Sequence, residues 1–171
     1  MKALIMSDSH GWDKEVAEVV HRHQQEVDVI FHCGDSELSI ANPLFKQVLS
    51  VSGNCDFGED FPAEIIKKIN GVTFYISHGH LLNVKMNAMN LLYKGEEHGA
   101  DIVCFGHTHV PVAFQEKNIV FINPGSMRLP RQHTAGTYVL LKVEDDQVDV
   151  TYYSLVGEEQ KQLTKTFLKN H

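Results

Sequence analysis

The chain has 171 residues, 43% of them hydrophobic and 22% charged, and a formal charge of −7 at neutral pH. That balance suits a buried core rather than a disordered chain, and the length suits one folding unit spanning residues 1–171, since domains commonly run about 100 to 150 residues. The acidic total argues against a surface for duplex nucleic acid, which is held through many Lys and Arg contacts to phosphate.

The first apolar run, Lys2 to Met6, meets Asp8 too soon for a secretion signal. No stretch reaches the roughly 20 apolar residues of a membrane span. Three cysteines cannot all pair within one chain, so a reduced cytoplasmic protein is expected.

In chain order, the run at 2–6 is followed by Trp12, Val16, Val19 and Val20 near helical spacing, with Lys14, Glu15, Glu18 and Arg22 between them, which predicts an amphipathic helix. Short apolar runs at 27–31 and 48–51 read as strands covered on both faces. Asn70-Gly71 between the runs at 65–69 and 72–76 predicts a hairpin, because both residues tolerate positive φ. A second helix is expected over 84–98, carrying Met86, Met89, Leu91 and Leu92 and ending at Gly99. Strands follow at 102–105 and 119–122, then at 137–143 and 148–155 as a meander, with the polar residues from about Glu158 expected to fray. Alternating units followed by strand pairs predict a four-layer αββα sandwich, two mixed β-sheets flanked by helices. No repeat or Pro/Gly/Ser linker divides the chain.

The apolar runs stop at polar clusters: Asp8-Ser9-His10, Gly34-Asp35, Gly53-Asn54, His78-Gly79-His80 and Gly106-His107-Thr108-His109. One Asp-x-His by itself reads as a turn with a capping Asp. His-x-His at a strand end turns two rings toward one cleft, and imidazole is the commonest metal ligand. Loops beyond the carboxyl ends of strands form the usual ligand site in α/β sheets, so the five clusters are expected to converge there. Core packing does not place Asp, His, Asp, Asn, His, His and His after successive strands.

The ordered set DSH, GD, GNCD, HGH and GHTH resembles the calcineurin-like metallophosphoesterases, and most of all their compact bacterial and archaeal phosphodiesterase branch. The likeness covers essentially the whole chain, because GHTHVP is followed by a strand and by Asn123-Pro124-Gly125-Ser126. It implies a dinuclear centre, one metal on Asp8, His10, Asp35 and His109 and the other on Asp35, Asn54, His78 and His107, with Asp35 bridging. It further implies a metal-bridging hydroxide that attacks phosphorus in line. Two divalent ions against two carboxylates leave about +2, which favours an anionic ester. Manganese is the ion the resemblance implies first; nickel, iron, cobalt and zinc also suit mixed nitrogen and oxygen donors.

Many relatives read Gly-Asn-His where this chain reads Gly53-Asn54-Cys55-Asp56. The usual general acid is therefore absent, which leaves His80 as the candidate proton donor and Cys55 as a packed thiol. Arg128, Arg131 and His133 read as a solvated loop, His21, His23, His32, His98 and His171 have no ligand-like setting, and Cys33 and Cys104 read as strand packing. The expected activity is hydrolysis of a small or nucleotide-like phosphodiester. The alternatives are a phosphomonoesterase and an interaction scaffold on the same fold, as in the retromer subunit. Oligomeric state is not written in the sequence.

Overall fold

A computed structural model describes residues 1–169, so His171 lies outside the described residues. The elements in order are β1 (Lys2–Met6), α1 (Asp13–His23), β2 (Val29–His32), β3 (Leu49–Ser50), β4 (Glu64–Ile69), β5 (Val72–Ser77), α2 (Met89–Glu97), β6 (Ile102–Cys104), β7 (Val112–Glu116), β8 (Ile119–Asn123), β9 (Thr137–Val143), β10 (Gln147–Ser154) and β11 (Lys165–Leu168). They form a six-stranded sheet, β11-β10-β9-β1-β2-β3, and a five-stranded sheet, β4-β5-β6-β8-β7. Both are mixed.

β1 shows why an unbroken apolar run is a strand here. Ala3 and Ile5 face the second sheet, while Leu4 and Met6 face α1, and all four are fully buried. The core between the sheets is closed by Phe31, Phe74, Ile76, Ile122, Val139 and Tyr152. On the outer face of the first sheet, Val16, Val19 and Val20 of α1 cover Leu4, Met6, Ile30 and Tyr138. On the outer face of the second, Leu91 and Leu92 of α2 cover Tyr75, Val103 and Phe121. These three apolar contacts between successive layers are the expected αββα sandwich. α1 carries Asp13 and Glu15 in its first turn and His21, Arg22 and His23 in its last, which complements the helix dipole.

Two expectations are corrected and one is met. The second helix begins only at Met89: residues His80–Leu82 make one 3-10 turn, Asn83 takes φ 54°, and Met86 is left exposed. The strands from residue 137 on form the expected meander, β9, β10 and β11 pairing antiparallel in chain order, and β6 to β8 stand apart from it. β6 and β8 pair in parallel, β7 folds back on β8 through Lys117 and Asn118, both at positive φ, and the chain then crosses to the first sheet. The polar end is ordered through residue 168, because β11 pairs with β10 and sets Phe167 opposite Val148, against the inter-sheet core.

Candidate metal centre

Parallel pairing of β1, β2 and β3 in one sheet, and of β5, β6 and β8 in the other, aligns the loops that follow these strands. The two sets of loops meet across the sheets. Asp8 and His10 follow β1, Asp35 follows β2, Asn54 follows β3, His78 follows β5, and His107 and His109 follow β6. Five of these seven hold left-handed backbone: Asp8 at φ 53°, His10 at 43°, Asp35 at 53°, His107 at 65° and His109 at 61°. Side chains with a Cβ seldom adopt that region, at a cost on the order of 1–3 kcal/mol each, so surrounding bonds must hold them. Asp8 N donates to Gly34 O at 3.0 Å, His10 N to Asp35 O at 3.0 Å, and Ser126 Oγ to Asp8 O at 2.7 Å.

Three imidazoles are oriented in the same way. His78 Nδ1 donates to Cys33 O at 2.7 Å, His109 Nδ1 donates to Leu129 O at 2.8 Å, and His10 Nδ1 contacts the Glu37 carboxylate at 2.8 Å. Each ring therefore turns Nε2 toward the cleft, the tautomer and orientation that metal-ligating histidines usually owe to an outer hydrogen bond. His10 Nε2 and His109 Nε2 stand 3.4 Å apart. Asp8 Oδ1 lies 3.0 Å from His109 Nε2 and 3.9 Å from the Nε2 atoms of both His10 and His78. Asp35 Oδ2 is 3.3 Å and Asn54 Oδ1 3.2 Å from His78 Nε2.

Ligand atoms of Asp8, His10 and His109 fall within 4.8 Å of one another, as do those of Asp8, Asp35 and His78 and those of His10, Asp35 and Cys55. His107 joins none of these groups; its ring stands 5.1 Å from that of His78. Cys55 is half-buried beside Asp35 rather than packed in the core, and its thiol accepts from Asn54 Nδ2 at 3.4 Å.

The arrangement fits divalent cations. Asp8 is fully buried, yet its Oδ1 has no hydrogen-bond partner among the described residues, and an unpaired buried carboxylate oxygen is costly unless a cation answers it. Two glycines keep the carboxylates in place. A Cβ at Gly53 would fall onto Asp35 Oδ1, and one at Gly106 would lie 2.6 Å from Asp8 Oδ2.

Charge reinforces the geometry. Burial works to raise the Asp35 carboxyl, but the His78 ring and the Cys55 amide outweigh it and hold it well below the usual carboxylate range. Burial likewise works against a charged His78, and the two Asp carboxylates override it and raise its pKa. On protonation the His109 ring gains a hydrogen bond to the Asp8 carboxylate, which raises its pKa against its burial. Burial, then the neighbouring His78 and Lys85 charges, push His107 down to about 4, and burial and His78 also lower His80. Burial and the Asp35 carboxylate push the Cys55 thiol up to about 11, so it is protonated at neutral pH.

Several residues have a supporting role that the sequence did not assign to them. Asp56 accepts from the amides of Asp35, Gly53 and Glu37 at 2.7–2.8 Å and so ties the second and third clusters together. An Asp three residues after a turn glycine was the available signal. Asn123 Nδ2 donates to Gly106 O at 2.9 Å and to Thr108 Oγ1 at 3.0 Å, bracing the His107 loop. Arg128 is fixed rather than loosely solvated: its guanidinium donates to His10 O and lies 5.7 Å over the Trp12 ring. Among the other histidines, His32 is buried with Nε2 2.9 Å from Ser9 Oγ, His23 contacts Tyr138 Oη at 2.8 Å, and His98 stacks on Tyr75.

Residues 1–146 match the family model described as calcineurin-like phosphoesterase superfamily domain. The chain is 40% identical to the probable metallophosphoesterase YsnB of Bacillus subtilis, over 95% of this chain and 96% of that one. It is 30% identical to the phosphodiesterase YfcE of Escherichia coli, over 58% of this chain and 55% of that one. The crystal structure of a conserved Streptococcus pneumoniae protein described as a predicted phosphoesterase superimposes with a TM-score of 0.96 at 35% identity, covering 98% of this chain and 97% of that one.

Proposed function

Because the chain belongs to the calcineurin-like phosphoesterase superfamily, we propose that it is a dinuclear metal-dependent phosphodiesterase acting on small or nucleotide-like esters. In this reading Asp8, His10, Asp35 and His109 hold one ion and Asp35, Asn54, His78 and His107 the other, manganese being the first ion to test. One observation carries it: three imidazoles with Nδ1 engaged outside the cleft present Nε2 around a buried, unpartnered Asp8 oxygen.

Two divalent ions, when bound, supply Lewis acidity toward a phosphoryl oxygen and lower the pKa of coordinated water toward neutrality. The chain's own residues fix the geometry. Asp56 holds Asp35 and Glu37 through their amides, and Ser7 Oγ and the His107 amide hold Asp8 Oδ2, at 2.5 and 3.2 Å. Asp8 belongs to two of the three ligand groups, as Asp35 does, so the carboxylate that is shared between ions is itself testable. His80, with its ring 6.1 Å from that of His107, is the side chain placed to give a proton to a departing alcohol. A diester is favoured over a monoester because the candidate ligand set of Asp8, His10, Asp35, Asn54, His78, His107 and His109 contains no Lys or Arg to answer the second charge that a monoester carries on phosphorus. The name of the Escherichia coli relative, a phosphodiesterase, supports the same choice. A cytoplasmic setting accords with the three free cysteines and is part of the proposal.

The test is to strip metal with a chelator, reload with Mn2+, and compare bis(p-nitrophenyl) phosphate with p-nitrophenyl phosphate. Activity should vanish with the metal, return with it, favour the diester, and fall in His107→Ala and His109→Ala. Full activity after verified metal removal would refute the mechanism, and preference for the monoester would select a phosphomonoesterase. Metal binding without turnover of either ester would point to an interaction scaffold.

A further inference from the structure

Beside the metal centre a cleft of about 400 Å³ is lined by Val84, Lys85, Thr108, Val110, Arg131 and Gln132. Its walls come from the loops that carry the candidate ligands. Thr108 lies between His107 and His109, Arg131 N donates to His109 O at 3.0 Å, and Val84 packs against Gly79, which follows His78. The lining contains two cations and no acid. Both cations are exposed, and among the described residues neither forms an ion pair, in a chain whose formal charge is −7. Thr108 Oγ1 already accepts from Asn123 Nδ2 and from Val110 N, at 3.0 and 3.2 Å, so its own proton is free to be donated elsewhere.

We propose that this cleft is a specificity subsite for a second acidic group on the substrate, a carboxylate or phosphate carried by one ester arm, held by Lys85 and Arg131. The inference rests on the phosphoesterase reading of the adjacent centre and names the class of ester that centre receives. Arg131 offers the planar fork that matches a carboxylate or phosphate, and Lys85 a mobile point charge. Val84 and Val110 supply apolar wall for the hydrocarbon stem between the two acids. An ester ending in a neutral group gains the wall contact but not the charges. The preference therefore belongs to ground-state binding and is sensitive to salt, since the Debye length is only about 8 Å at 0.15 M.

The test titrates metal-loaded protein calorimetrically with phenylphosphonate and with 4-carboxyphenylphosphonate, neither of which can be hydrolysed. Wild type should bind the carboxylated compound about tenfold more tightly at low ionic strength, a difference of 1.4 kcal/mol, and the margin should shrink with added salt. The Lys85→Met/Arg131→Met double variant should bind both compounds alike; with both side chains on the surface, its thermal unfolding should match wild type. Equal binding of the two compounds by wild type, or a preference that survives in the double variant, would overturn the subsite. Wild-type turnover of p-nitrophenyl phenyl phosphate is measured separately. Its absence would refute the phosphodiesterase reading, whereas the binding comparison decides the subsite by itself.

Discussion

Replacing Gly53 by Ala should damage the metal centre by a purely steric route. The backbone at Gly53 is not in the left-handed region, so alanine meets no torsional penalty, but its Cβ would fall onto the Asp35 carboxylate and amide and lie 2.7 Å from Asp35 Cγ. Asp35 cannot retreat freely. Its amide donates to Asp56 Oδ2 at 2.8 Å, the same oxygen that receives the Gly53 amide at 2.7 Å, and its Oδ1 accepts from Cys55 N at 2.7 Å. Overpacking of this kind costs about 1–3 kcal/mol, or about 2–12 °C in Tm for a chain of this size. Moving a carboxylate ligand should weaken metal binding by at least the 10–100-fold that follows from disturbing a ligand's outer support.

Gly58→Ala is the matched control, because Gly58 sits at φ 77° with nothing within 4 Å of a built Cβ. It should lose about 1–2 kcal/mol to left-handed strain and keep its metal affinity. Urea unfolding of both metal-free variants gives the stability difference, and calorimetric titration with Mn2+ gives the affinity. If Gly53→Ala binds two ions as tightly as wild type, Asp35 is either not a ligand or not confined by its neighbours, and the reasoning fails.

Asp35→Asn should weaken both metal positions, since the amide loses charge and one oxygen donor; elemental analysis that still finds two tightly held ions would assign the bridge elsewhere, with Asp8 the next variant to test. Removing Glu37 by Glu37→Gln should lower metal affinity about 10–100-fold through the His10 ring it orients, and equal Mn2+ titrations would refute that role. Burial holds His32 near a pKa of about 4, below its ordinary 6.5, so it stays neutral in the fold while the unfolded chain takes up a proton. Its stabilising contribution is thus complete above pH 6.5 and lost as pH falls toward 4, by up to about 3 kcal/mol. Urea titrations of metal-free wild type and His32→Gln across that range should converge toward acid, and parallel curves would be the contrary result. Cys55→His should speed alkyl diesters more than aryl ones, because general-acid help, typically worth 10²–10⁴-fold, matters most for poor leaving groups. Equal dependence of rate on leaving-group pKa in both proteins would show that proton donation is already supplied.

The candidate ligand types and their order along the chain were legible in the sequence because chemistry restricts them: few side chains bind metal, and each of these follows an apolar run that reads as a doubly covered strand. β1 and β6 illustrate this, every apolar residue of theirs being buried. The Asn70-Gly71 hairpin was equally legible, since its turn is fixed by local φ preference. β11 was not, because its Lys-Thr-Phe-Leu run is a strand only by virtue of the edge that β10 offers it. Nor was the start of the second helix, where left-handed backbone at Asn83 interrupts the periodic pattern.

Within the candidate site, the sequence named the residue types but not the directions of their side chains. That Nε2 rather than Nδ1 faces the cleft was decided by Cys33 O, Leu129 O and Glu37, which lie 45, 20 and 27 residues from the rings they orient. The strained backbone at five candidate-ligand positions, the clamp at Asp56 and the meeting of Lys85 with Arg131 in one cleft are of the same kind. Each depends on hydrogen bonds or approaches between loops far apart in the chain, and those distances exist only once both sheets have packed.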